Sequence, residues 1–521
     1  MRRPSMLGLL LPIALAVGAV LQAGPASATA TPTPSPSPST AGPSMQVTYT
    51  TPTNNPLTVE TWATYSNFTS NMATCTLDFG DGVSSGSGGM CYEVMHTYPG
   101  PGTYTMTAKW TDTSGNSGTS STKVVVSPVF VPTAPTRLLD TRSGLGATHA
   151  RVATGGVVRL RVNGAAGISA ATSVTLNLTV ANPGGNGYVT AYPDGTKRPT
   201  ASNVNYVKGQ TVPNLVDIPV PADGLVDFYV SGGPVDLVAD VEGYRTAYPN
   251  GKGTVLSDSR SEWGQFFKIL DTRDKNYTPV VGKIGAGKTV SFDSRVDPVT
   301  YNPTFGYGTN AEAAILDVTE TNATAGSYIT AYQAGTTRPT ASALNFAAGE
   351  TRAATVVVPV DSNGKVTLYN HAGSVNLTVS VEGYYVTFAT YRNPDSTDVN
   401  RPVTTISPVR VLDTRNATGA PKKRLGPSGD LSFKAAGIGA VPVTATSVVL
   451  NLTAVNPTHT GFLDAWGDAS PDPGESALNF MHSAPATPVL LYLPVDHGHV
   501  DLFNPYGTLD VVADVEGYTT N

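Results

Sequence analysis

The feature that most constrains this chain is a pair of motifs that recurs three times. Leu139-Asp140-Thr141-Arg142, Leu270-Asp271-Thr272-Arg273 and Leu412-Asp413-Thr414-Arg415 open three segments. Val241-Glu242-Gly243-Tyr244, Val381-Glu382-Gly383-Tyr384 and Val515-Glu516-Gly517-Tyr518 close them. The spans from Asp140 to Glu242, Asp271 to Glu382 and Asp413 to Glu516 are 102, 111 and 103 positions. The middles also correspond: Leu176-Asn177-Leu178-Thr179 with Leu316-Asp317-Val318-Thr319 and Leu450-Asn451-Leu452-Thr453, and Tyr188-Val189-Thr190-Ala191-Tyr192 with Tyr328-Ile329-Thr330-Ala331-Tyr332 and Phe462-Leu463-Asp464-Ala465-Trp466. A repeat of about 115 residues is too long for a solenoid unit and has the size of a whole domain.

The repeats read as strands. In the first, strand-like runs lie near Leu138, Val157, Val174, Tyr188, Val204, Leu215, Val226 and Val238. Several alternate apolar and polar residues, as half-buried strands do. Turn signals such as Pro193-Asp194-Gly195 and Ala222-Asp223-Gly224 separate them. Composition agrees. The 521 residues include 53 Gly and 41 Pro, and only 13% are charged. That is about half the usual charged share, too little for charged surface helices or a coiled coil. Eight short strands per unit predict a jelly-roll-like β-sandwich. Domains are expected at 133–246, 263–387 and 406–521, with linkers near Ala247–Glu262 and Phe388–Ile406.

The N-terminal part differs. Arg2 and Arg3, the uncharged run Met6–Leu21 and Ala26-Ser27-Ala28 read as a secretory signal over 1–28. The apolar run is too short for a spanning helix, which needs about 20 residues. Residues 29–44 alternate Pro with Ser and Thr, an extended spacer. These features predict a secreted, extracellular protein with no membrane span after signal cleavage. Net charge is −6, and the only basic run is Lys422-Lys423-Arg424. Nucleic-acid binding, which needs a basic face, is therefore not expected.

Between spacer and repeats, residues 45–128 hold Leu77-Asp78-Phe79-Gly80-Asp81-Gly82, His96-Thr97-Tyr98 and Gly102-Thr103-Tyr104-Thr105-Met106-Thr107. This succession resembles the PKD domain, which implies an immunoglobulin-like β-sandwich of secreted and surface proteins. Leu77 stands where that family usually has Trp, so Trp62 or a disulfide is expected to fill the core there. The only cysteines, Cys75 and Cys91, suit a structural disulfide in an oxidising compartment. The LDTR-to-VEGY repeat is similar to one found in exported actinobacterial proteins, where it is an accessory module sometimes appended to cell-wall hydrolases. The fold class expected is thus all-β: tandem β-sandwiches, one PKD-like and three jelly-roll-like.

Two sets of residues carry candidate chemistry. The recurring charges group as Asp140/Arg142/Glu242, Asp271/Arg273/Glu382 and Asp413/Arg415/Glu516. They suit either a thrice-repeated polar ligand site or structural ion pairs that stitch first and last strands together, and the stitch is favoured. The second set is Tyr188, Tyr192 and Arg198, Tyr328, Tyr332 and Arg338, and Trp466. Aromatics beside Arg, Ser and Asn suit sugars, although alternation must turn some of them inward. In the third repeat Asp472 replaces the Arg, which argues against three equivalent sites.

Metal and nucleophile patterns are nearly empty. Asp78 and Asp81 are a weak calcium candidate, and two such carboxylates usually serve a turn. His482, His497 and His499 do not form a zinc pattern. Gly82-Val83-Ser84-Ser85-Gly86 lacks the helix an esterase elbow needs. No cofactor is expected beyond that calcium. The expectation is an exported, non-catalytic protein for adhesion or cell-wall or polysaccharide binding, with extracellular polysaccharide or surface proteins as partners. A secreted glycan-active hydrolase and a purely structural surface protein are the alternatives.

Overall fold

A computed structural model describes residues 42–50, 55–68, 71–86, 91–247, 254–258, 267–278, 281–295, 311–387, 402–467, 472–484, 486–495 and 497–520. The signal, nearly all of the spacer and parts of both inter-repeat linkers lie outside the described residues. Among the described residues every regular element is a β-strand.

The first unit is a sandwich of two three-stranded sheets. One holds Ser44–Thr50, Thr58–Ser66 and Met95–Thr97, the other Met72–Asp78, Gly102–Asp112 and Ser117–Val126. Cys75 and Cys91 are disulfide-bonded in its core. The core tryptophan is Trp110, directly across the sheet from Cys75. Trp62, expected there, is 40% exposed. Its strand pairs Trp62 with Thr48 on the outward side of the alternation.

The first strand of repeat 1 starts just after this unit. Its eight strands are Val129–Asp140, Val157–Arg161, Ala171–Ala181, Gly187–Pro193, Val204–Tyr206, Val212–Pro219, Leu225–Ser231 and Asp236–Thr246. Numbered in order, they form one sheet 1-8-3-6 and a second 2-7-4-5, which is the jelly-roll arrangement. Repeats 2 and 3 repeat both sheet orders, from Phe267–Asp271 to Asn376–Thr387 and from Thr404–Asp413 to Asp510–Thr520. Each has its own apolar core between its two sheets. The region expected as the first linker contains a strand, Thr254–Asp258. It pairs with the last strand of repeat 2 and touches the first strand of repeat 1 at Phe130, splicing the two 1-8-3-6 sheets together.

The repeats are not beads on a string. Their 1-8-3-6 sheets face one another and close a ring. Glu242 of repeat 1 accepts the backbone N–H of Val357 in repeat 2 at 2.7 Å. Glu382 of repeat 2 accepts that of Tyr492 in repeat 3 at 2.9 Å. Glu516 of repeat 3 accepts that of Asp217 in repeat 1 at 3.1 Å. Asp217, Val357 and Tyr492 are equivalent positions on the sixth strand, an edge strand in each sandwich. One contact thus repeats around a pseudo-threefold axis. Where the sixth strands meet, Leu215, Ala313, Ile315, Val357, Val449, Leu490 and their neighbours form a fifth apolar cluster drawn from all three repeats.

At the axis Arg245 is buried with Asp217, its Nη1 donating to both carboxylate oxygens at 2.7 and 2.8 Å. The same nitrogen reaches Ser173 and, in repeat 3, Thr405. Nη2 donates to the Tyr385 hydroxyl of repeat 2 at 2.9 Å. One guanidinium therefore holds all three repeats.

Burial pushes the ring carboxyls up, Glu242 and Glu516 to about 8 and Glu382 to about 7. The folded protein then keeps protons that the unfolded chain releases near ~4.3. Their contribution to stability is therefore greatest below about 4.3, falls as pH rises from there through 7 to 8, and levels off above. Calorimetric unfolding from pH 5 to 9 checks this, and a melting temperature flat over that range contradicts it. Glu516→Ala is expected to cost about 1–3 kcal/mol for each donor it strands, the Asp217 N–H and the Asn203 amide. Asp217→Ala leaves Arg245 buried and unpaired and is expected to cost about 3–5 kcal/mol.

Candidate functional site

The recurring charges divide between two jobs. In each opening motif Arg folds back on the Asp two residues earlier. Arg142 reaches Asp140 through Nε and Nη2 at 2.8 and 2.7 Å, and its N–H donates to the same carboxylate. Arg273 with Asp271 and Arg415 with Asp413 repeat this geometry. For Asp140 the Arg142 hydrogen bond is the leading cause of a carboxyl held below its ordinary range. For Asp271 and Asp413 burial pushes up, and the arginine bonds more than reverse it. The intervening Thr141, Thr272 and Thr414 bond through backbone and hydroxyl to the last strand, so first and last strands are joined.

The glutamates do not complete these triads, which corrects the grouping with Glu242, Glu382 and Glu516. They sit on the face covered by the next repeat, and each takes a backbone N–H there; Glu382 also accepts from Thr355 of its own repeat. The cross-strand partner of the first strand is instead Asp240 with Arg137, or Asp514 with Arg410.

The aromatic residues lie on the 2-7-4-5 sheets, on the side of each sandwich away from the ring axis. Strand four turns Val189 and Ala191 into the core and so turns Tyr188, Thr190 and Tyr192 outward. Tyr188 is half-buried, but Tyr192 is only 7% and Trp466 only 8% exposed, so neither offers a free ring face. Tyr328 stacks on His371 with centroids 4.4 Å apart, and Tyr332 is half-buried. Arg198 and Arg338 are exposed, and each guanidinium lies over the ring of a tyrosine of the seventh strand. Arg198 is 3.6 Å from the Tyr229 centroid and Arg338 is 3.8 Å from that of Tyr369. In repeat 3 the equivalent ring is Phe503, and among the described residues no arginine lies over it. Another ring pair, half-buried Phe462 edge-on to Tyr506 at 5.9 Å, stands beside it, and Tyr506 is 54% exposed.

Tyr229, Tyr369 and Tyr506 are absent from the sequence-based set. A signal for the first existed, because Val226-Asp227-Phe228-Tyr229-Val230 alternates, and an inward Phe228 forces Tyr229 outward. Tyr506 lies in the turn after strand seven and has no periodicity to reveal it.

One position separates the third outer sheet from its siblings. Thr190 and Thr330 donate their hydroxyls to the Ala201 and Ala341 carbonyls at 2.8 and 3.0 Å. The third copy has Asp464, 3% exposed, with Oδ1 lacking a partner. An ionised carboxylate cannot donate, so the swap favours the protonated acid. Burial first, then Asp472 and Glu475, push Asp464 up to about 7.

Among the described residues no group of three or more His, Cys, Asp or Glu is placed to hold a metal ion. Asp78 accepts the Gly80 N–H at 2.9 Å. Asp81 accepts the Val83 N–H at 3.0 Å and meets His96 Nε2 at 2.8 Å. Both carboxylates thus act within the turn, and His96 stacks on Phe79 below it. Ser85 of the G-x-S-x-G stretch accepts the Leu77 N–H inside the same loop. Among the described residues no helix is long and apolar enough to cross a membrane.

Comparison with protein-family models finds no match, and comparison with curated proteins finds none either. Solved structures do match. A PKD domain of the Vibrio cholerae metalloprotease PrtV is 24% identical over 16% of this chain and 98% of its own, with a TM-score of 0.14. Carbohydrate-binding modules of the β-sandwich superfamily match 40% of this chain and 99% of theirs at 16% identity, TM-score 0.19. The Bacteroides ovatus mixed-linkage glucan utilization protein SGBP-B matches 91% of this chain and 99% of its own at 11% identity, TM-score 0.15.

Asp464→Thr, which restores the sibling residue, is expected to raise the melting temperature by clearly more at pH 8 than at pH 5. The sign follows because a raised acid costs stability only once pH exceeds its unfolded value. Equal shifts at both pH values count against a protonated Asp464.

Proposed function

We propose that this chain is an exported, non-catalytic polysaccharide-binding protein acting in surface adhesion, with the outer 2-7-4-5 sheets of the ring as its binding faces. The observation that carries the reading is the outward display of Arg198 on Tyr229, Arg338 on Tyr369 and Phe462 against Tyr506. Sugar rings present apolar C–H faces and rims of hydroxyls. Half-exposed aromatic rings take the first, and planar guanidinium donors take the second. The leader read at residues 1–28 would carry the protein out of the cell, and cell-wall or extracellular glycans would be its partners.

Retention on insoluble polysaccharides and isolated cell walls tests this. Wild type is expected to be retained on at least one. The combined variant Arg198→Ala, Arg338→Ala and Tyr506→Ala is expected to lose at least tenfold of that retention while keeping the wild-type circular dichroism spectrum. Absence of retention on every matrix sinks the reading.

A second reading, a glycan-active hydrolase, is favoured by one observation. Asp464 lies near Asp472 and Glu475 with its carboxyl raised to about 7, the protonation behaviour of a general acid. New reducing ends released from a polysaccharide by wild type, and abolished by Asp464→Asn, would establish it instead.

A further inference from the structure

The three boundaries in the ring are built from equivalent positions, and two of them are closed alike. At the boundary of repeats 1 and 2, Asn177 Nδ2 donates to the Ser342 and Ala343 carbonyls at 2.7 and 3.0 Å. At the boundary of repeats 3 and 1, Asn451 Nδ2 donates to the Ser202 carbonyl at 2.8 Å and its Oδ1 accepts from Asn214. Beside each amide an arginine spans to an aspartate, Arg137 to Asp240 and Arg410 to Asp514, and fills the space.

The boundary of repeats 2 and 3 departs at every one of these positions. Asp317 replaces the Asn, Lys268 the Arg and Ser380 the Asp. Glu475 stands where the other copies have Ala201 and Ala341. Lysine with serine is smaller than arginine with aspartate, and a cavity of about 150 Å³ remains. Its walls include Lys268, Arg273, Asp317, Ser380, Glu475 and Asn479. Asp317 is 3% exposed, and its hydrogen bond comes from Thr319 Oγ1 at 3.2 Å. Where the siblings aim an N–H at the next repeat's carbonyls, this boundary offers an acceptor.

We propose that this cavity binds a neutral polyhydroxylated ligand, a single sugar residue or a cyclic polyol. The charges choose the class. Lys268 pairs with Glu475 at 3.0 Å, and Arg273 pairs with Asp271, so both signs line the walls. An ammonium ligand would meet Lys268 and Arg273, and an anion would meet Asp317 and Glu475. A hydroxyl donates and accepts at once. It adds a second donor to Asp317, beside Thr319, and accepts from Lys268, Arg273 and the Asn479 amide. The inference stands on the boundary chemistry and not on the outer-sheet reading.

Titration calorimetry and saturation-transfer NMR on the full chain test it, with glucose, galactose, mannose, rhamnose, N-acetylglucosamine and myo-inositol as neutral probes and glucosamine and glucuronate as charged ones. At least one neutral probe is expected to bind saturably, and the charged probes at least tenfold more weakly. The double variant Lys268→Arg and Ser380→Asp installs the siblings' ion pair in the cavity and is expected to weaken binding at least tenfold. Asp317→Asn installs the siblings' amide, is expected to weaken it in the same direction, and decides the matter alone if the double variant does not fold. Failure of every neutral probe overturns the proposal, as does equal binding of the charged probes or unchanged affinity in a folded variant. Retention on polysaccharide without monosaccharide binding would sink this site and leave the outer faces standing, and the converse would do the reverse.

Discussion

The ring depends on one interaction, a buried carboxylate taking the backbone N–H of the next repeat's edge strand. A sandwich with sheet order 1-8-3-6 leaves strand six unpaired on one side. Such an edge invites pairing with any passing strand. Here Glu242, Glu382 and Glu516 each cap the edge at Val357, Tyr492 and Asp217. A glutamate gives a single directional bond where another strand would give a ladder, so the sheets stay distinct and the sandwiches meet at an angle. The cost is three carboxyls out of water, which appears in their raised protonation range. Apolar burial at the axis, by Leu215, Val357, Leu490 and their neighbours, is the favourable term that offsets it.

A ring of three similar units has a register problem, since any unit could in principle follow any other. The axis breaks that degeneracy. The position of Arg245 is Tyr385 in repeat 2 and Thr519 in repeat 3. The position of Asp217 is Val357 and Tyr492. One cation therefore matches one anion, and its remaining donors reach Tyr385 and Thr405 of the other two repeats. An exchanged order would keep the Arg245–Asp217 pair, which lies within repeat 1, but would lose the Tyr385 hydroxyl and the Thr405 hydroxyl as partners of the same buried guanidinium. The splice strand Thr254–Asp258 enforces the same order between repeats 1 and 2 through the backbone.

Much of this was legible in the sequence. Alternation and turn chemistry predicted strands from Val157–Arg161 to Asp236–Thr246, and the motif pairs predicted that first and last strands are neighbours. The ring was not predicted, and the reason is physical. Alternation tells which face of a strand is apolar relative to its own sandwich. It does not tell whether the other face meets water or another domain. Glu242 on an outward position looks like a surface charge, and only the covering repeat makes it buried. A trace was nevertheless present. Val356-Val357-Val358 and Val489-Leu490-Leu491-Tyr492-Leu493 are apolar at both parities, the mark of a strand covered on both faces. Tyr192 and Trp466 show the converse. Both hold outward positions, yet both are buried, which no periodicity can reveal.

The ring also changes what three copies can do. Tandem modules on flexible linkers can all settle on one surface, and their linked weak contacts gain avidity. Sandwiches fixed about an axis by their inner sheets must turn their outer sheets away from one another. The three faces then diverge, and a flat wall can meet fewer than three of them at once. On the reading that these faces bind glycans, divergence favours separate chains, one to each face, and adhesion by bridging polymers rather than by multivalent grip on a single flat wall. The faces differ accordingly: arginine lies over tyrosine in repeats 1 and 2, while a bare aromatic pair beside a buried acid marks repeat 3. Copies that shared one target on one surface would have little reason to diverge at these positions while keeping the glutamates that hold them in place.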